Sequence, residues 1–483
     1  MDIVRIVRNV RAVRAVLIVR VVWVVLIVLA AGVVSGQGRG DVSQFEADTL
    51  KHFQALVRLD TSNPPGNEKI AADYLVAAFK TANIPIQTFA RDPNRVNVVA
   101  RLKGSGRKRP ILLMGHTDVV TVDPAKWKTH GPFSADREGR YIYGRGTLDN
   151  KSSVVAGLMA LLELKRRNVP LDRDVIFLAE AGEEGTQQFG MEFMANEHFA
   201  DIEAEYCLAE GGGVSRKGGK VLHADVQTME KHARTIVLTA RGISGHASVP
   251  LQSNAIVHLG AALEKVAALV PPIGLNETTR AYFTRLATLS PPANAQRYRD
   301  VLDPSKAGAI DRYFRANEPD AAAILHTTLS PTMIEGGYRF NVIPSEAKAT
   351  LDVRILPDEN PELILSLVRK VVNDPALAVD WAPRTLRPIG SSRIDTEAFK
   401  VLEAEVTRHY ATTTLPLLGT GATDMAYMRA KGTQCYGIGP ATDDEDGPLG
   451  YGAHSDLERI LESELQRFVR FQYDVVVQLA RAK

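Results

Sequence analysis

Ile111-Leu-Leu-Met-Gly-His-Thr-Asp-Val-Val120 is the stretch whose reading decides the fold. Its first four residues are apolar and stand between Pro110 and Gly115. A short apolar run with such bounds reads as a strand covered on both faces. His116 and Asp118 follow it two positions apart, so in an extended chain both side chains leave on one side. A metal-bound imidazole usually gives its other ring N–H to a carboxylate, which fixes the tautomer. His-x-Asp after a strand supplies such a pair, or only a polar strand end, and the rest of the chain has to decide between them.

Outward from this strand the periodicity alternates. Glu68 to Asn83 is predicted as a helix, Ile86 to Phe89 and Asn97 to Leu102 as strands, and Gly104-Ser-Gly106 as a hairpin turn into the central strand. Gly131 to Tyr143 reads as loop and hairpin. Ser152 to Arg167 is a helix, apolar at Val154, Val155, Leu158, Leu161 and Leu162, and Val175 to Ala179 and Glu205 to Ala209 are strands. Strands alternating with helices imply an α/β sheet with ligands at the strand carboxyl ends.

Those ends carry more acid than a scaffold needs. Asp149 stands just before a helix, where an N-cap is the ordinary reading. Glu183-Glu184 follows one strand and Glu210 another, each readable as solvated surface or turn. Far downstream His454 precedes a long helix, with Ser455 and Glu458 in capping-box spacing. Taken together, His116, Asp149, Glu184, Glu210 and His454 are two imidazoles and three carboxylates. That set suits two Zn²⁺ ions sharing one bridging carboxylate, with room for a shared water. Glu183, beside a ligand but not needed as one, is the natural general base.

The middle of the chain has a pattern of its own. Thr235 to Thr239 is predicted as a strand, Asn254 to Leu269 as a helix, Thr332 to Phe340 and Ala347 to Ile355 as strands, Pro361 to Val372 as a helix and Ala378 to Trp381 as a strand. The order βαββαβ is the ferredoxin-like unit. It lies between Glu210 and His454, so it has to be inserted into the catalytic domain. Pro271 to about Ser330 interrupts it, with two short helices expected there. The domain expectation is a leader over 1–36, a catalytic domain over 37–230 and 387–483, and an inserted lid over 231–386.

Composition narrows the function classes. The chain has 483 residues, 45% apolar and 24% charged, which suits a folded chain of two or more domains. Five arginines between Arg5 and Arg20 precede the apolar run Val21 to Val34, and Ser35-Gly36 follows. This is the layout of a secretory signal cleaved near Gly36, with an uncleaved membrane anchor as the alternative. Without the leader 53 basic and 55 acidic residues remain, so no basic stripe is left to argue for nucleic acid. Cys207 and Cys435 are too few for a disulfide framework and read as buried thiols.

The blocks GHTDVV and GRGTLDNK, the pair Glu183-Glu184 and the late His454 occur in the order and spacing of a known family. From about Phe45 onward the chain resembles the co-catalytic dizinc exopeptidases and deacylases of metallopeptidase family twenty. These include glutamate carboxypeptidases, aminoacylases, carnosinase and succinyl-diaminopimelate desuccinylase. The resemblance implies an α/β, zinc-exopeptidase-type mixed-sheet catalytic domain with an inserted lid that often dimerises. It implies that His116 and Glu210 hold one zinc, that Glu184 and His454 hold the other, and that Asp149 bridges them. It further implies Glu183 as base, Asp118 as the orienter of His116, and a cis peptide at Asp149–Asn150. In the lid it raises His246, Asn341 and Arg354 as residues that meet the substrate carbonyl and the product carboxylate, which an Arg fork matches. Gly421, in the loop Gly419 to Asp424, is a further substrate contact. The expected function is zinc-dependent hydrolysis of amide bonds in small peptides or N-acyl amino acids, with Co²⁺ or Mn²⁺ as substitute ions. The alternatives are an N-deacetylase or desuccinylase of amino-acid metabolism, or a non-catalytic zinc-containing peptide-binding protein. Expected partners are the small substrate and a second copy of the chain through the lid.

Overall fold

The computed structural model describes residues 42–383 and 386–482. The expected leader therefore lies outside the described residues. The chain divides into two compact units, 1–52 and 53–483, and the second carries everything that follows. Among the described residues no helix is long and apolar enough to cross a membrane.

The first part of the chain supplies helix α1 (Lys69–Thr81) and strands β1 (Ile86–Phe89), β2 (Asn97–Leu102) and β3 (Ile111–His116). Helix α2 (Lys151–Arg166) and strands β4 (Val175–Glu180), β5 (Tyr206–Ala209), β6 (Gly213–Lys217) and β7 (Lys220–Glu230) follow. Every residue of β3 and of β4 is buried, as the unbroken apolar runs require. β3 pairs in parallel with β4 on one side and β5 on the other. β2 pairs with β4, not with β3. Gly104–Gly106 is thus not a hairpin turn. The crossover through α2 returns β4 between β2 and β3, and the loop lies along the entry to β4, where Asp174 accepts the Gly104 N–H at 2.9 Å. Helix α2 presses close on this sheet because Gly157 faces Phe177, whose ring atoms would stand 2.8 Å from any added Cβ.

The inserted part holds β8 (His232–Arg241), β9 (Gly245–His246) and helix α3 (Ala255–Ala267), then β10 (Thr328–Gly336), β11 (Val342–Ile343), β12 (Glu346–Ile355), helix α8 (Pro361–Val372) and β13 (Leu377–Trp381). β10, β12, β8 and β13 form a four-stranded antiparallel sheet in that order, the ferredoxin-like arrangement. Leu259, Ala262 and Val266 of α3 and Ile364, Leu365 and Val368 of α8 pack on one face of it. Asn254 and Asn360 cap the two helices, each accepting a main-chain N–H two residues on.

The interruption contains four helices rather than two: α4 (Glu277–Leu289), α5 (Pro292–Asp300), α6 (Pro304–Asn317) and α7 (Pro319–Ala323). Phe283, Tyr298 and Phe314 give them a core, and Met229 at the end of β7 and Leu356 just past β12 join it. The helices that start at Pro292 and Pro319, of 9 and 5 residues, carry too few turns for a clear period, which is why the sequence showed only part of the group.

The return segment adds helix α9 (Glu397–Tyr410), β14 (Thr414–Gly419), helix α10 (Met425–Ala430), β15 (Gln434–Gly437), β16 (Ala441–Asp443) and helix α11 (Glu462–Ala480). β15 joins β5 in parallel, with Cys435 opposite Cys207; both thiols are free and buried. The large sheet runs β1-β2-β4-β3-β5-β15-β7-β6-β16, with β14 on β7, so it is mixed. The α11 helix begins at Glu462, and Ser455 and Glu458 form no capping box. Glu458 is fully buried and bound to Arg145 at 2.7 Å instead.

Candidate active site

Three strand carboxyl ends of the parallel core and the amino end of α2 converge. β3 delivers His116, β4 leads through Glu180 into Glu183-Glu184, β5 ends at Glu210, and Asp149 precedes α2. His116 Nε2 lies 2.9 Å from Asp149 Oδ1 and 3.2 Å from Glu210 Oε2. His454 Nε2 lies 3.0 Å from Asp149 Oδ2 and 2.9 Å from Glu184 Oε1. Asp149 thus gives one oxygen to each imidazole. Two residue sets, His116–Asp149–Glu210 and Asp149–Glu184–His454, bring their donor atoms within 4.8 Å, and a third joins His116, Glu183 and Glu184. The donor chemistry fits two divalent ions.

Asp149 does not cap α2. Asn150 holds the cap position without a side-chain capping bond, its Nδ2 donating to Glu210 Oε2 instead, and the Asp149–Asn150 peptide is cis. The main-chain N–H groups of Leu148 and Asp149 point at Glu458 Oε1, at 2.8 and 3.3 Å. His454 has φ +63° and a half-exposed side chain, and its carbonyl accepts from Arg145 at 3.2 Å. Arg145 and Glu458 therefore fix both Asp149 and His454 from beneath.

His116 Nδ1 lies 2.9 Å from the Asp118 carbonyl and 3.4 Å from its carboxylate. Asp118 also accepts from Asn63 Nδ2 at 2.8 Å. Burial disfavours the charged form of His116, but the Glu210 charge and hydrogen bonds to Asp118 and Asp149 outweigh it and raise its pKa well above the usual value. Hydrogen bonds to Asp149 and Glu184 raise His454 to about 10. Burial opposes the ionised Asp149, yet hydrogen bonds from both imidazoles hold it well below the carboxylate range. Three carboxylates gathered around two imidazoles mark a place that takes positive charge.

The cleft above this centre, about 940 Å³, is lined also by Arg354, Gly419, Gly421, Asp444 and Arg387. Among the described residues its walls carry no Phe, Tyr or Trp. Arg354 is present as expected, but its fork is held by Asp352, with Nε 2.7 Å from Oδ1 and Nη2 3.1 Å from Oδ2. His246 and Asn341 are absent from the cleft lining. They lie beside the pairing of β9 with β11: His246 stands opposite Val342, and the Ala247 N–H donates to the Asn341 carbonyl at 3.0 Å. Nothing in the local sequence distinguishes a lid loop over its own cleft from one facing away.

Three residues escaped the sequence reading. Arg387 Nη2 lies 2.6 Å from Glu183 Oε1 and 3.3 Å from Asp424 Oδ1. Asp424 is 1% exposed, and burial lifts it to about 6. Glu180, also buried, is pushed well up by desolvation and by the Asp424 charge. The signal available was a run of acids at one strand end. Arg387 sits in an irregular segment that carries none.

Comparison with known proteins places the chain among relatives. A family model described as Peptidase family M20/M25/M40 matches residues 112–478. The chain is 30% identical over 320 residues to a probable carboxypeptidase S-like 2 of Dictyostelium discoideum, covering 62% of this chain and 59% of that protein. It is 27% identical over 355 residues to a probable succinyl-diaminopimelate desuccinylase of Staphylococcus aureus, covering 72% of this chain and 78% of that protein. Among solved structures, an M20 family metallo-carboxypeptidase, Sso-CP2, of Sulfolobus solfataricus superposes with a TM-score of 0.66 at 18% identity, covering 89% of this chain and 98% of that one.

Proposed function

The chain belongs to peptidase family M20/M25/M40, and on that premise we propose that it is a dizinc hydrolase of amide bonds in small peptides or N-acyl amino acids. One observation carries the reading: the Asp149 carboxylate offers one oxygen to each of two imidazole–carboxylate sets. His116 and Glu210 would hold one ion, Glu184 and His454 the other. Bound zinc would supply Lewis acidity at the amide carbonyl and acidify water; Co²⁺ or Mn²⁺ serves the same role. Glu183, 9% exposed and facing the same cluster, takes the proton of the attacking water and returns it to the leaving amine. The cleft, about 940 Å³, has room for a dipeptide or an N-acyl amino acid. Arg354 would take a substrate carboxylate in place of Asp352.

His246 and Asn341 would act from a second copy or after lid movement. His246 Nδ1 lies 2.6 Å from Ser248 Oγ and 3.2 Å from the Ser248 main-chain nitrogen, which ties Nδ1 to its own loop and leaves Nε2 for an outside partner on an exposed ring. An outward N–H is what an oxyanion requires. A homodimer through the lid is supported by β10, a sheet edge with Met333 58% and Ile334 67% exposed. Such an edge is normally covered. Export with cleavage near Gly36, or anchoring by residues 21–34, completes the proposal, and N-terminal sequencing from the native host tests it.

Incubation of the zinc-loaded protein with dipeptides, N-acetyl amino acids and N-succinyl amino acids tests the reaction. Cleavage that disappears on chelation and returns with zinc is expected. A desuccinylase or deacetylase would show itself by which acyl group is taken. Failure to cleave any member with two ions bound would leave the peptide-binding reading.

A further inference from the structure

Resting on the reading of Glu183 as base, we propose that Arg387 is a positioning residue: it clamps one oxygen of Glu183 against a buried Asp424 anchor, so that the other oxygen is presented to the reacting water.

The contacts define a one-sided clamp. Arg387 Nη2 donates to Glu183 Oε1 at 2.6 Å and to the Glu183 carbonyl at 3.0 Å, so it fixes the side chain and the turn that bears it. The same nitrogen stands 3.3 Å from Asp424 Oδ1. Among the described residues neither Asp424 side-chain oxygen has a hydrogen-bond partner, and Asp424 is 1% exposed. A buried carboxylate without donors is costly unless a cation faces it. Asp424 therefore holds the guanidinium in place, and the guanidinium holds Glu183.

The backbone beneath Arg387 is fixed as well. Ser392 N donates to Thr228 O at 2.8 Å and Ser392 Oγ to Cys435 O at 2.8 Å, stitching the segment to the ends of two sheet strands. Gly390 lies so close to Arg429 that an added Cβ would come within 2.6 Å of the Arg429 Cβ. A substrate receptor needs a fork free to accept a carboxylate. Arg387 spends its Nη2 on two carboxylates, while among the described residues its buried Nε has no hydrogen-bond partner, so KM beside kcat separates the two roles. One Glu183 carboxylate oxygen lies within 4.8 Å of donor atoms of His116 and Glu184.

The test uses the full chain and whichever panel substrate the wild type cleaves fastest, with metal content measured on every variant. Arg387→Ala is expected to keep two ions per chain, to leave KM little changed and to lower kcat by roughly 10–10²-fold, the scale of a misplaced reacting group. Added guanidinium ion should restore part of the lost kcat. On a Glu183→Gln background the same change should cost nothing further, because Arg387 acts through Glu183. A raised KM with unchanged kcat would make Arg387 a substrate receptor and overturn the proposal. So would a loss that multiplies with that of Glu183→Gln. Full activity in Glu183→Gln alone would instead remove the base reading on which the proposal rests. Should Arg387→Ala not fold, Arg387→Lys keeps the charge on a shorter arm: lowered kcat supports the clamp, and wild-type kcat overturns it.

Discussion

The Asp118 carboxylate accepts the main-chain N–H of Glu183 at 3.1 Å through Oδ1, and that of Glu184 at 3.0 Å through Oδ2. It stands 3.4 Å from His116, whose closer partner is the Asp118 carbonyl. Asp118 is thus as much the floor of the Glu183-Glu184 turn as the orienter of His116. Asp118→Ala should weaken metal binding about 10–100-fold, read by competition with a chelator. Unchanged affinity and unchanged kcat would show that the turn holds its shape without it.

Glu183→Gln separates ligand from base. The variant keeps shape and volume but cannot take a proton. Two ions per chain with kcat lowered roughly 10²–10⁴-fold are expected. The His116–Glu183–Glu184 grouping allows the opposite result. One ion lost on substitution would move Glu183 into the ligand set.

The large sheet, the ferredoxin-like order and the converging acids were legible because each rests on a local period or on a residue at the end of an apolar run. What was not legible needs tertiary information. Glu458 looked like a capping partner because spacing cannot show that Arg145, more than 300 positions away, claims it. Gly104–Gly106 looked like a hairpin because local sequence does not reveal that β4 enters between two consecutive strands. His246 stood in a glycine-flanked loop, and no pattern tells which cleft such a loop faces. Arg387 had no pattern at all.

The Arg145–Glu458 pair is buried on both sides, with side chains 2% and 0% exposed. Removing one member leaves a charge without a partner, at a cost of about 3–5 kcal/mol. Arg145→Met should lower the melting temperature and, because Glu458 holds the Asp149 N–H, loosen metal binding too. A variant as stable as wild type at neutral pH would mean that Glu458 is comfortable protonated.

Lys231 gives a pH prediction with a definite sign. Its side chain is 1% exposed, Nζ lies 3.5 Å from Thr328 Oγ1, and burial pulls its pKa down to about 8. The unfolded chain binds the proton up to the ordinary lysine value, so wild-type stability rises as pH passes from about 8 toward that value. Below pH 8 the penalty is fully present. Lys231→Met should therefore be more stable than wild type at pH 7, by of order 1–3 kcal/mol, and the gain should shrink by pH 10. A gain that persists at pH 10 would point to packing instead of charge.

The lid edge and His246 make one linked prediction. Ile334 is 67% exposed on β10, and His246 lies outside the cleft of its own chain. If a second copy covers β10 and its His246 completes the neighbouring site, two unlike substitutions must have one consequence. Ile334→Asp should give a monomer by light scattering, with both ions retained. Its kcat should fall about as far as that of His246→Ala, roughly 10²–10³-fold for one oxyanion donor. Combining the two should cost no more than either alone. An active monomer would separate catalysis from assembly. A dimeric His246→Ala with wild-type kcat would return His246 to loop structure and leave the oxyanion to the metal centre.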